Sequence, residues 1–182
     1  MPRVSKVEES AYSANRVMSR TSKLRFRETP TPADIEAVRA IVSLSGFFSE
    51  SEIDVAAELV EERLSKGVPS GYFFLFAEDE ERVLGYACYG PIPCTAASWD
   101  LYWIAVQPDL RGRGMGRRIL DLVEKKIGKM GGTRVYVDTS SRELYRPTLA
   151  FYAHCGYRQE AVLKDFYAPG DSKVLFLKVL FT

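Results

Sequence analysis

The sequence predicts an α/β chain, with a mixed central sheet of about seven strands and helices on both faces. Three observations carry this. Seven short runs alternate or are wholly apolar, as strands do. Longer runs repeat their apolar residues at helical spacing. The two kinds of run also interleave along the chain, which suits a sheet covered by helices. At 182 residues and 46% apolar content, the chain suits one domain with a sizeable core.

Residues 24–28 alternate and read as the first strand. Thr29-Pro30-Thr31-Pro32 ends it. Thr31 is placed to cap a helix with Pro32 at its first position and Asp34 in its first turn. Ile35, Val38, Ile41 and Val42 follow at helical spacing. Gly46-Phe47-Phe48 interrupts the pattern, and a second helix fits residues 51–66. Residues 72–77 and 83–89 read as strands joined by the acidic turn 78–81. Pro91 and Pro93 limit further pairing.

Residues 101–106 are apolar throughout, as in a strand covered on both faces. A helix then fits residues 117–130, with Met115, Ile119, Leu122, Val123, Ile127 and Met130 as its buried stripe. Gly131-Gly132 terminates it. Residues 133–138 form a strand, and residues 157–166 and 174–180 close the chain as two more, turning at Pro169-Gly170-Asp171. Residues 1–22 are polar, lack the apolar core of a signal peptide and are expected to be a flexible tail before a domain over 23–182.

Composition excludes several function classes. Formal net charge is +1, so nothing in the overall balance calls for nucleic acid or an anionic membrane. No apolar run approaches a membrane span. Cys88, Cys94 and Cys155 form no C-x-x-C, and free thiols in a reducing cytosol are the simpler account. His154 is the single histidine, which excludes a site of several His ligands; no metal is expected.

The most informative stretch is Arg111-Gly112-Arg113-Gly114-Met115-Gly116. It follows a strand and opens a helix. Its glycines leave backbone N–H groups bare where a helix dipole also favours negative charge. Arg111, Arg113, Arg117 and Arg118 surround it, so a phosphorylated ligand is expected. The nucleotide-triphosphate loop, G-x-x-x-x-G-K-[ST], is missing. The dinucleotide fingerprint, G-x-G-x-x-G, fails at its third glycine, where Arg117 stands, although Asp138 falls at about the right distance for its acidic residue.

A third pattern, R/Q-x-x-G-x-G/A, is satisfied by Arg111, Gly114 and Gly116. Residues 148–157, Thr148-Leu149-Ala150-Phe151-Tyr152-Ala153-His154-Cys155-Gly156-Tyr157, have the look of A-x-x-F-Y-x-x-x-G-[FY], with Ala150 standing immediately before Phe151. In these residues the chain resembles the GNAT superfamily of acetyl-CoA-dependent N-acetyltransferases. The resemblance spans residues 72–180 and is specific over 99–157.

That resemblance implies a mostly antiparallel sheet split between its fourth and fifth strands, here 101–106 and 134–138. It implies acetyl-CoA as co-substrate and transfer of acetyl to a primary amine of a small molecule or peptide, by direct attack in a ternary complex. The coenzyme would be held by Arg111, Gly112, Arg113, Gly114, Met115, Gly116 and Arg117. Along the fourth strand it would meet Ile104, Ala105 and Val106, and a backbone N–H near Ala105 or Val106 would polarise the acetyl oxygen.

Tyr152 matches the tyrosine that faces the coenzyme sulfur in that family. As a phenol it can donate to a departing thiolate; helix periodicity alone would place it in the core. Asp100 stands where some members carry a base. It shares strand parity with Tyr102 and Ile104, and it is a water-mediated base or a strand-end carboxylate bonded to backbone. Phe47, Phe48, Tyr86 and Tyr167 either bracket the acceptor or fill the core. An acyl-CoA-binding sensor without turnover is the alternative function. A homodimer stays open as an assembly, and the cytoplasm is the expected location.

Overall fold

The computed structural model describes residues 23–180; the expected tail over residues 1–22 lies outside them. The seven strands are β1 Arg25–Arg27, β2 Phe73–Glu78, β3 Val83–Pro91, β4 Ser98–Val106, β5 Arg134–Ser140, β6 Arg158–Ala168 and β7 Asp171–Val179. They form one sheet in the order β1-β2-β3-β4-β5-β7-β6. Neighbours are antiparallel except β4 and β5, which are parallel. The described α-helices are α1 Ala33–Ser45, α2 Glu50–Lys66, α3 Met115–Lys129 and α4 Arg146–His154.

Helices cover both faces. Under α1 and α2, Val38, Ile41, Val42, Ile53 and Val60 meet Phe74, Phe76, Tyr86 and Cys88. Under α3 and α4, Ile119, Leu120, Val123, Ile127 and Tyr152 meet Leu75, Ala87, Leu101, Val135 and Phe176. Leu120 is buried as well, whereas Met130, expected in the buried stripe, lies exposed just after α3.

Two helix starts and one strand end differ from expectation for local reasons. Thr31 does not cap α1; its hydroxyl (2.9 Å) and its backbone N–H (2.5 Å) both donate to Asp34. Asp34 also accepts two bonds from Arg27, at 2.8 and 2.9 Å, which ties α1 to β1. At α2, Ser49 and Glu52 form a reciprocal capping box, so this helix begins at Glu50 rather than Ser51. Pro91 does not stop β3, which still pairs there with Trp99 on β4.

The decisive feature is a bulge in β4. Cys88 pairs with Trp103 and Tyr89 with Leu101, leaving Tyr102 as the extra residue. Side-chain parity changes across a bulge. Trp99, Leu101, Ile104 and Val106 therefore join the α3 side, while Trp103 and Ala105 face α1 and α2. The expectation that Asp100, Tyr102 and Ile104 share one face is thus corrected: Ile104 is on the opposite side from Asp100 and Tyr102.

The sheet splits just beyond. Only Ser98, Trp99 and Asp100 pair with β5, opposite Arg134, Val135 and Tyr136. β4 then continues to Val106 on β3 alone, and β5 to Ser140 on β7 alone. The two strands leave a wedge open along residues 101–106.

Candidate active site

A cavity of about 810 Å³ occupies this wedge. One end is the turn before α3, lined by Arg111, Gly112, Gly114, Met115, Gly116 and Arg117. Gly112 (φ 70°) and Gly114 (φ 80°) are left-handed, a conformation that favours glycine. Nothing stands within 4 Å of where their Cβ atoms would be, so the backbone is open to a close ligand. The first amides of α3 have no acceptor within the helix and point out of its N-terminus.

The long walls are all of residues 101–106 on β4 and Val137, Asp138, Thr139 and Ser140 on β5. Tyr152 of α4 lines the cavity from the core, 5% exposed. Its ring is wedged against Tyr157 (5.6 Å) and Phe176 (5.8 Å). Burial pushes its phenol well up, so it is neutral at physiological pH.

Phe47, Phe48, Glu52, Arg142, Tyr145, Tyr167 and Asp171 line the cavity as well. Phe48 packs on Trp103 with centroids 5.7 Å apart. Tyr145 donates its hydroxyl to the carbonyl of Phe47 at 2.8 Å. Asp171 is buried. It accepts from Ser140 Oγ at 2.5 Å and pairs with Arg142 Nε at 3.1 Å.

Most of the residues singled out from the sequence meet in this one cavity; Arg113, Arg118, Tyr86 and Asp100 do not. Arg113 does not line it, although its neighbours on both sides do, and the Arg118 guanidinium lies over the Phe26 ring at 5.1 Å. Tyr86 is corrected outright: it is fully buried under α1 and α2, 6.2 Å from Phe76, and cannot touch an acceptor. Asp100 lies in the paired part of β4, one residue before the lining begins. Burial raises its pKa, as does the charge of Asp138, while Lys173 opposes the shift. Asp138 does line the cavity and is ion-paired with Lys173.

Ser140, Arg142, Tyr145, Asp171 and Glu52 line the cavity without having been singled out. Ser140 is the carboxyl end of β5, and Arg142 and Tyr145 follow it. In open sheets with parallel strands, ligands gather at carboxyl ends where neighbouring strands part, and that rule could have found them.

Sequence and structure comparisons agree with this fold. The profile of the Acetyltransferase (GNAT) family matches residues 36–157. The chain belongs to the GNAT acetyltransferase family. A GNAT-family protein of Desulfovibrio desulfuricans is 43% identical, with a TM-score of 0.85, over 86% of this chain and 99% of its own. An uncharacterized N-acetyltransferase of Methanocaldococcus jannaschii is 24% identical over 72% of this chain and 88% of its own. The PaiA N-acetyltransferase of Thermoplasma acidophilum, solved in complex with coenzyme A, shares the fold with a TM-score of 0.68. It is 18% identical over 87% of this chain and 99% of its own. The family uses acetyl-CoA. No helix among the described residues is long and apolar enough to cross a membrane.

Proposed function

We propose that this protein moves an acetyl group from acetyl-CoA to a primary amine of a small molecule or peptide, by direct attack within a ternary complex. The observation that carries the reading is the left-handed glycine turn opening α3 at one end of the β4–β5 wedge. Bare amides at a helix N-terminus suit pyrophosphate. The unpaired side of β4 beyond Asp100 offers backbone groups to the pantetheine amides, a form of sheet augmentation. A backbone N–H near Ala105 or Val106 polarises the acetyl oxygen, a contribution of roughly 3 kcal/mol in a water-poor site.

The amine enters beside Phe47, Phe48 and Tyr167. Its nitrogen attacks the thioester carbon, the C–S bond breaks, and Tyr152 gives its phenolic proton to the departing thiolate. Asp100 takes the amine's proton through water. A raised carboxyl pKa makes it a stronger base than an exposed aspartate.

Calorimetry with acetyl-CoA, followed by thiol release over a panel of amines, tests this in the wild type and in Tyr152→Phe. Both proteins should bind acetyl-CoA alike, and turnover of Tyr152→Phe should fall about 10²-fold. Binding without turnover on every amine would make the chain an acyl-CoA sensor. Equal turnover with chemistry rate-limiting would return Tyr152 to the core.

A further inference from the structure

Arg111 belongs to the glycine turn, yet its side chain is engaged elsewhere. Its Nη2 donates to the carbonyl of Ser45 at 3.1 Å, and its guanidinium lies 5.1 Å from the centroid of the Phe47 ring. Ser45 is the last residue of α1, and Gly46 (φ 73°) terminates that helix. A helix C-terminus exposes carbonyls and favours a cation, but α1 has no basic residue in its last turn. Arg111, distant in sequence, supplies it. The same guanidinium therefore sits between two competing acceptors: the carbonyl end of α1, and any pyrophosphate held by the amides of α3.

On its far side the α1–α2 turn has a second anchor. Tyr145 bonds the Phe47 carbonyl, and the two rings pack 5.5 Å apart. Arg142 lies over the Tyr145 ring at 5.3 Å and is held in turn by Asp171. This anchor does not involve the glycine turn.

We propose that Arg111 couples the glycine turn to the α1–α2 turn: coenzyme pyrophosphate draws its guanidinium away from Ser45 and Phe47, leaving the α1–α2 turn on its Tyr145 anchor and free to adjust to the amine. The proposal rests on the glycine turn being the coenzyme site. It makes Arg111 a positioning residue for the acceptor as well as a contact for the donor. It also has a consequence opposite in sign to simple contact loss. Any change that weakens the hold of the turn on Arg111 must tighten coenzyme binding, because less is given up when the side chain moves.

The test is a mutant cycle read by calorimetry with coenzyme A alone. Phe47→Ala removes the ring that Arg111 stacks on. It should bind coenzyme A roughly 2- to 5-fold more tightly than the wild type, the value of an exposed cation–π contact. In an Arg111→Ala background the same change should have no effect. Phe47→Leu keeps apolar bulk without a π face and should shift affinity in the same direction, so the result does not hang on one variant folding. Unchanged or weaker binding in both Phe47 variants overturns the coupling. Tighter binding that persists without Arg111 overturns its assignment to that residue. Failure of the wild type to bind coenzyme A at all is a different result: it removes the donor site itself, and the coupling with it.

Discussion

Asp100 concentrates the question of proton transfer at one side chain. Burial disfavours its charge, the neighbouring Asp138 adds repulsion, and Lys173 only partly offsets them. Its folded pKa is therefore raised above the unfolded value. Two consequences follow with defined signs. The basic form of Asp100 appears only as pH rises through that raised pKa. The same ionisation costs stability, so the stability held below the unfolded pKa is lost as pH rises through the folded one. Asp100→Asn should thus be the more stable protein at neutral pH. It should also be the slower enzyme, most markedly at low pH, where free neutral amine is scarce. Matched pH–rate profiles and thermal melts of both proteins, on the same amine, check this. Parallel profiles with equal plateaus would make Asp100 structural. A displaced profile in Asp138→Asn alone would move the base to the carboxylate that lines the cavity. The residue types were legible in the sequence here, but their facing was not. Alternation put Ile104 beside Asp100, and the extra residue at Tyr102 broke it.

That bulge belongs to the scale of elements, and Gly90 accommodates it. Gly90 pairs with Asp100 on β4. A Cβ on it would collide with the carbonyl oxygen of Gly71 and stand 3.0 Å from the ring of Tyr102. Backbone cannot yield as a flexible side chain can. Gly90→Ala should cost about 1–3 kcal/mol, as overpacking does, and should displace Tyr102 and the start of the wedge. Urea melts give the first quantity; acetyl-CoA affinity reports the second. Equal stability and affinity in the variant would mean that the segment around Gly71 is loose. The elements themselves were largely legible. Helical periodicity found α1, α2 and α3, and alternation found the strands, because each has one face to bury. Ser49-x-x-Glu52 also carries the signature of the capping box and would have fixed the start of α2. What sequence could not give was contact between remote parts. Tyr145 reaching Phe47, and Arg111 reaching Ser45, join segments that only the folded sheet brings together. Tyr86 stayed between cleft and core for the same reason: an aromatic on β3 looks identical in sequence whether it faces a cleft or lies beneath two helices.

At the scale of the molecule, the sheet is two units that touch over three residue pairs of β4 and β5 and part beyond them. On one side stand β1 to β4 with α1 and α2 against them; on the other stand β5, β7 and β6. A coenzyme seated in the wedge would span both, giving the separated strands a shared partner. It would bind the folded chain and not the unfolded one, since the cavity is assembled from segments as distant as Phe47 and Asp171. Linkage then fixes the size of the effect. Acetyl-CoA at a hundred times its Kd should stabilise the fold by about 2.7 kcal/mol. For a domain of this length that corresponds to a rise in Tm of roughly 5–10 °C. Gly114→Glu should abolish the shift, because it places a negative charge and a side chain at the left-handed residue that opens α3. Its own Tm without ligand shows whether it still folds. A wild-type Tm that is unmoved by saturating acetyl-CoA would argue against a coenzyme bridging the wedge. An equal rise in folded Gly114→Glu would place the ligand somewhere other than the glycine turn.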